Sequence, residues 1–167
     1  TDASIYQVDP VGVLVPRSVD DVRAALAVCR ELGVPVLPRG AGSSQCGQTV
    51  GAALVIDDSR HLDAVLAFDA DARTVTVEPG IVLDALNAWL LPPGLWFPVD
   101  VSTSAQATLG GMAGNNSCGS RSIAYGNMVH NVLALDVTLA DGSEARFGTP
   151  ADMADAPPRI RALADTL

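Results

Sequence analysis

Aromatic side chains make up only 4% of this 167-residue chain, so its core must be aliphatic. The 49% hydrophobic share is mostly Ala, Val and Leu, and it excludes disorder. Positive charge is scarce as well. Ten Lys and Arg face nineteen Asp and Glu, a formal charge of −9 with no basic cluster. That balance argues against nucleic acid or an anionic membrane surface as partner. An anionic ligand must then be held by backbone N–H groups and one or two local arginines. The cysteines are Cys29, Cys46 and Cys118, with no C-x-x-C pair. A zinc or disulfide framework has no support, and a reducing, cytoplasmic location fits. No 18-residue apolar run and no signal peptide occurs. The chain starts at Thr1 without Met and ends in a helix-like stretch, so it reads as a piece of something longer.

What the sequence does contain is two glycine-rich segments, each beside an apolar run. The first is Pro38-Arg39-Gly40-Ala41-Gly42-Ser43-Ser44-Gln45-Cys46-Gly47-Gln48. The second runs Thr108-Leu109-Gly110-Gly111-Met112-Ala113-Gly114-Asn115-Asn116-Ser117-Cys118-Gly119. Small residues let backbone approach a ligand, and successive exposed N–H groups form a concave anion site. Asn115 and Asn116 add amides that donate and accept, and Ser104, Thr108 and Ser117 add hydroxyls. Such a lining suits the edge of a flat heterocycle. The blander alternative is a helix N-terminus packed tightly under glycine. If the close approach serves a ligand, Gly111→Val abolishes its binding.

The rest of the pattern supplies the frame. Gly12–Pro16 reads as a short buried strand. Ser18-Val-Asp-Asp21 resembles a capping box before a helix bearing Val22, Ala25, Leu26 and Cys29, with Gly33 as its C-cap. Val34–Leu37 and Ala53–Ile56 are further strands, so β-α-β-loop-β predicts a small parallel sheet. Past a change of pattern at 57–68, Thr74–Glu78 alternates and Ile81–Leu91 predicts a helix with Leu83, Leu86 and Leu90 on one face. Phe97–Ala107 is irregular. Val132–Leu139, Asp141-Gly142 and Ser143–Phe147 predict a hairpin, with Leu133, Leu135, Val137 and Leu139 on one side. Pro157–Leu167 resembles the start of another helix. The expected organisation is a first lobe at 1–57, a second at 58–150 and a truncated segment at 151–167.

Familiar motifs fail on inspection. Gly42 to Thr49 matches a P-loop spacing, but Gln48 replaces the lysine and the segment leads into a strand. After Gly40 and Gly42, the third glycine of a dinucleotide fingerprint is Gln45. His61 and His130 have no partners suggesting a triad or a metal site, and no G-x-S-x-G elbow occurs. Cys118 reads as small-residue packing, or as a thiol beside a redox cofactor.

Taken together, Val13–Pro16, Ser18–Val22 and Pro38–Ser44 resemble the opening of the FAD-linked oxidase family, which shares the vanillyl-alcohol oxidase flavin-binding fold. Thr74–Gly80 is similar to the segment between that family's glycine loops. Thr108–Asn116, Tyr125-Gly126 and Val132–Gly142 are similar to its second flavin segment. The order matches over residues 10–148, and the nearest branch is that of glycolate oxidase and D-lactate dehydrogenase. The resemblance implies an α+β, PCMH-type FAD-binding fold, a βαβ parallel lobe followed by a mixed and antiparallel lobe. It implies that Arg39, Gly40, Ala41, Gly42, Ser43 and Ser44 wrap the FAD pyrophosphate with Gln48 nearby. Pro98, Val99 and Asp100 would line the flavin. Thr108, Gly110, Gly111, Asn115, Asn116 and Gly119 would contact pyrophosphate or isoalloxazine.

Some relatives attach FAD covalently through a histidine in the first loop; Ser43 and Ser44 occupy that stretch here, so FAD is expected to be non-covalent. His130 stands where the family usually has Asp. A further glycine-rich segment and the substrate half are not seen after Thr149, so no catalytic residue is assigned. The expected activity is oxidation of a small 2-hydroxy acid by hydride transfer to FAD. Alternatives are an electron-transfer flavin module of a redox complex, with a partner protein or iron–sulfur region, and a degenerate P-loop nucleotide binder.

Overall fold

The computed structural model describes residues 1–164. Strand β1 (Gly12–Leu14) leads through Pro16 to helix α1 (Val19–Leu32). The expected capping box is present: Ser18 Oγ accepts from the Asp21 N–H at 3.3 Å, and Asp21 Oδ2 accepts from the Ser18 N–H at 3.1 Å. Gly33 ends α1 in the left-handed region at φ 67°, and its N–H donates to the Cys29 carbonyl. Strands β2 (Val36–Arg39) and β3 (Leu54–Asp57) follow. The three strands form a parallel sheet in the order β1-β3-β2, with Val55 opposite Val13 and Leu37.

Only the central strand is deeply buried, at Val55 and Ile56. The buried β1 expected from sequence is instead an edge strand, and Val13 is 61% exposed. A three-residue edge has one neighbour and little to cover it.

The second half is built around a separate apolar cluster. Strands β4 (Val65–Asp69) and β5 (Thr74–Val77) form an antiparallel hairpin. The sequence showed no sign of β4, since Val65–Asp69 does not alternate. Its turn is closed by the Ala72 N–H donating to Asp69 Oδ1 at 2.9 Å, with Arg73 at φ 54°.

Helix α2 (Leu83–Leu90) starts two residues later than expected. Val82 offers no capping side chain. The first helical N–H groups are satisfied from elsewhere: Leu83 donates to the Ala107 carbonyl at 3.0 Å and Asp84 to the Ser104 carbonyl at 3.2 Å. That ties the irregular stretch 97–107 across the helix start. Leu83, Leu86 and Leu90 are all buried, as the spacing predicts, with Val99, Ala107, Leu109, Met112 and Met128.

Helix α3 (Leu109–Gly114) occupies the second glycine segment. Two single turns, α4 (Ser122–Tyr125) and α5 (Met128–Asn131), come next, and they are too short to show a period in sequence. Strands β6 (Leu135–Thr138) and β7 (Glu144–Phe147) form the expected hairpin, with Gly142 at φ 83° in its turn. The side bearing Leu133 and Leu135 is not buried, at 72% and 41% exposure. The hairpin reaches back to α1, where Arg23 pairs with Glu144 and Arg30 Nη1 donates to the Asp141 carbonyl.

Helices α6 (Pro150–Ala154) and α7 (Pro158–Ala164) follow. The expected helix over 157–167 is present to Ala164, and its remainder lies outside the described residues.

Candidate functional site

The two glycine segments meet. The first leaves the carboxyl end of β2, where α/β sheets present loops to ligands. Gly40 lies so close to Thr108 that any Cβ there would overlap the threonine hydroxyl. Further along, Gln48 Nε2 donates to Asn115 Oδ1 at 3.1 Å, while Gln48 Oε1 accepts from the Ser44 hydroxyl. A tight packing contact and an amide bridge therefore fix the loops against each other. Gln48 carries no charge and its amide is tied into this bridge at both ends, so it does not act as a lysine substitute. The segment runs into β3 without opening a helix. Both observations remove the P-loop reading.

The donors divide unevenly between the loops. In the first, the N–H groups of Ala41, Gly42, Ser43, Ser44 and Gln45 donate to no acceptor among the described residues, and only Cys46 turns inward, to Ser44 Oγ at 3.3 Å. A run of unsatisfied N–H groups in a half-buried loop is the donor set that an anion such as a diphosphate completes.

In the second segment the glycine amides are internally bonded. Gly110 N–H donates to the Pro79 carbonyl at 2.8 Å, and Gly111 N–H to Thr108 Oγ1 at 3.4 Å. This part is a helix N-terminus packed tightly under glycine, capped by buried Thr108. The strict steric requirement sits at Gly110, where a Cβ would come within 2.6 Å of Pro79 Cβ, whereas at Gly111 the nearest atom is Thr108 Oγ1 at 3.2 Å. The expectation for Gly111→Val is therefore better placed on Gly110.

Arg39 does not face an open anion site. Its guanidinium covers Gly42, which is at φ 65°, and Nη1 donates to the Thr1 carbonyl at 2.7 Å. Ala41 and Ser43 are half-buried between these contacts.

Around the second segment, Val99 is fully enclosed in the core, so its side chain lines nothing. Its half-buried neighbour Pro98 precedes it. Asp100 supports the turn after α3: Oδ1 accepts from the Arg121 N–H at 3.0 Å and Oδ2 from the Ser120 hydroxyl at 2.7 Å. Those bonds, the Ser120 hydroxyl first, hold the Asp100 carboxyl below its ordinary range. Gly119 rests on the Asp100 carbonyl, with no room for a Cβ. Asn116 adopts φ 47° and its Oδ1 accepts from the Val129 N–H at 3.0 Å, orienting α5.

Sequence reasoning missed several contributors. Gly80 packs under the Asp58 and Leu62 carbonyls and leaves no space for a side chain. Asp58 is half-buried, and burial pushes its carboxyl up to about 6, with the charge of Asp57 adding to the rise. A concavity of about 360 Å³ lies beside Gly80, lined in part by Ser59, Asp63, Ile81 and Trp89, and not between the glycine loops. Trp96, Arg121 and Tyr125 stack beside the Asp100 turn. Two aromatics in so aromatic-poor a sequence were the available signal. His130 caps α5, its Nδ1 accepting from the Asn127 N–H at 3.0 Å.

Comparisons with known proteins identify the family and the fold. The FAD binding domain family matches residues 10–148. D-2-hydroxyglutarate dehydrogenase of Pantoea ananatis is 39% identical over 100% of this chain and 16% of its own length. A probable mitochondrial D-lactate dehydrogenase of Danio rerio is 40% identical, covering 85% of this chain and 29% of that protein. Glycolate oxidase subunit GlcD of Bacillus subtilis is 36% identical over 86% of this chain and 31% of its own length. The chain thus spans less than a third of these relatives. A solved alkyldihydroxyacetonephosphate synthase shares the fold, with a TM-score of 0.71 at 23% identity over 83% of this chain and 26% of that one. On the match over residues 10–148, the chain belongs to the FAD binding domain family.

Proposed function

We propose that this chain is the FAD-binding part of a longer oxidoreductase that oxidises a small 2-hydroxy acid to the 2-oxo acid. The observation that carries it is the junction of the two glycine loops, with free N–H groups on one side and amide side chains on the other. Residues 1–57 and 58–150 act as two lobes closing on one cofactor, and 151–167 begins a further segment. The backbone of residues 39–44 holds the diphosphate with neutral donors. This avoids placing many cations in an acidic protein. Gln48 and Asn115 keep the loops in register. Pro98, Asp100 and Gly119 form the wall toward the flavin ring, with Asp100 acting mainly through its hold on the 119–121 turn. Thr108 and Gly110 set the depth of approach, Gly111 keeps the surface there free of a side chain, and Asn115 and Asn116 present the remaining polar edge.

Bound FAD supplies the two-electron acceptor, and the protein contributes binding, orientation and the exclusion of water. Ser43 and Ser44 occupy the position of family attachment residues, so the cofactor is held without a covalent bond. Substrate class follows from the relatives' names, which concern hydroxy acids. A redox partner or iron–sulfur region in the longer protein is the expected destination of the electrons, in a cytoplasmic setting that suits three free cysteines. The test is anaerobic mixing of the full-length protein with D-2-hydroxyglutarate, D-lactate and glycolate. Bleaching of the flavin by at least one acid is expected. A flavin-loaded protein that none of them reduces would refute the substrate assignment.

A further inference from the structure

Resting on that reading, we infer that Arg121 is the residue of this chain that grips the substrate's carboxylate. A 2-hydroxy acid is an anion at neutral pH, and the sequence has no lysine with which to meet it. Most of the arginines elsewhere are engaged. Arg23 and Arg146 sit in ion pairs, and Arg30, Arg39 and Arg161 donate to main-chain carbonyls. Among the described residues, the guanidinium groups of Arg17, Arg60, Arg73, Arg121 and Arg159 enter no ion pair, and of these Arg121 stands at the end of the second glycine segment.

Two contacts fix its position, and a third braces the ring beneath it. The main-chain N–H donates to Asp100 Oδ1 at 3.0 Å. The guanidinium carbon lies 5.2 Å from the Trp96 ring centroid. Trp96 in turn meets Tyr125 edge-on, with centroids 5.2 Å apart and planes at 86°. Stacking on an aromatic face orders the arginine while leaving its N–H fork available, and that fork matches a carboxylate in bidentate fashion. Asp100 acts on it through charge, which holds the carboxyl ionised, but forms no ion pair with the guanidinium: its oxygens accept from the Arg121 main-chain N–H and the Ser120 hydroxyl. The location is apt. Gly119 packs on the Asp100 main chain, so Arg121 is two residues from the wall assigned to the flavin ring.

The test uses the full-length flavin-loaded protein with Arg121→Ala, Arg121→Lys and Trp96→Leu. Each is titrated anaerobically with D-2-hydroxyglutarate, D-lactate and glycolate while flavin bleaching is followed, and with 2-oxoglutarate by calorimetry. For an acid that reduces the parent protein, Arg121→Ala is expected to raise Kd by about 10- to 100-fold, the range of a charge-assisted bond. Flavin content stays full and the limiting reduction rate changes far less than Kd. Arg121→Lys restores part of the affinity, and Trp96→Leu gives a smaller rise of the same kind. An unchanged Kd at full flavin content overturns this inference alone. Loss of flavin in Arg121→Ala also overturns it, since the arginine would then serve the cofactor. If no acid reduces the parent protein and 2-oxoglutarate does not bind, the proposed substrate class fails and this inference with it.

Discussion

Gly40 and Thr108 show how a single atom decides the join between the loops. The space that a side chain at 40 would need is filled by the Thr108 hydroxyl. Gly40→Ala is expected to destabilise the fold by about 1–3 kcal/mol, as overpacking does. Thr108→Ala loses the α3 cap at a cost of about 1 kcal/mol. The double variant should be less destabilised than the sum of the two, because removing the hydroxyl opens the space that the alanine enters. Chemical denaturation of all four proteins measures this, and strict additivity would contradict the contact.

Gly119 and Gly111 make a second comparison. At 119 a Cβ meets the Asp100 main chain, which cannot rotate away, whereas at 111 it meets a hydroxyl at 3.2 Å. Gly119→Ala should therefore weaken FAD binding by about 1.4 kcal/mol or more, tenfold, relative to Gly111→Ala. Equal dissociation constants would place the wall elsewhere.

Asp58 carries the pH dependence. Its carboxyl is raised from 3.8 to about 6 by burial first and by Asp57 second. The folded protein binds that proton more tightly than the unfolded chain. The resulting stability is fully present below about 3.8 and is lost as pH rises through about 6. Above that, the ionised group is a cost. Asp58→Asn should then be more stable than the parent at pH 8 by about 1 kcal/mol, allowing for solvent screening of a half-buried group, and should lose that advantage by pH 4. Melting curves at the two pH values decide it, and an advantage independent of pH would refute the assignment.

At the level of elements, what could be read in advance was whatever local chemistry dictates. Ser18, Asp21 and Gly33 announced both ends of α1, and the structure realises each cap. Ser18→Ala should cost about 1 kcal/mol, seen in denaturant unfolding as a lower midpoint with an unchanged slope. The alternation of Thr74–Val77 and the leucine spacing of α2 were equally legible. Strand β4 was not, because nothing in Val65–Asp69 alternates and its pairing with β5 supplies the order. The start of α2 was misread because its first N–H groups are satisfied by carbonyls of residues 104 and 107, a tertiary solution that no cap residue signals.

The site shows the same division. Glycines, amides and hydroxyls marked both loops. The bridge from Gln48 to Asn115 spans 67 residues and exists only once the chain is folded. Val99 looked like lining by adjacency and turned out to be core, since its neighbours Pro98 and Asp100 share the surface and leave it facing inward.

For the molecule as a whole, the composition and the architecture answer one another. An acidic chain without lysine suits an anionic cofactor through backbone donors. The main apolar cluster fills the second half, around α2, α3 and α5, and so stiffens the segment that we propose lies against the ring. Large apolar side chains remain on the surface, among them Ile5 at 90%, Leu91 at 73% and Ile123 at 100% exposure. The chain spans 16% of its Pantoea relative.

The central claim is that the two joined loops form an FAD site. Its most direct test is an equilibrium titration of the full-length apoprotein with FAD, followed by flavin absorbance and fluorescence, with ATP and Mg²⁺ as the control. Saturable binding of one FAD per chain, weakened by Gly119→Ala and indifferent to ATP, is the predicted result. A folded full-length protein that ignores FAD, or that binds ATP with Mg²⁺ in its place, would contradict it.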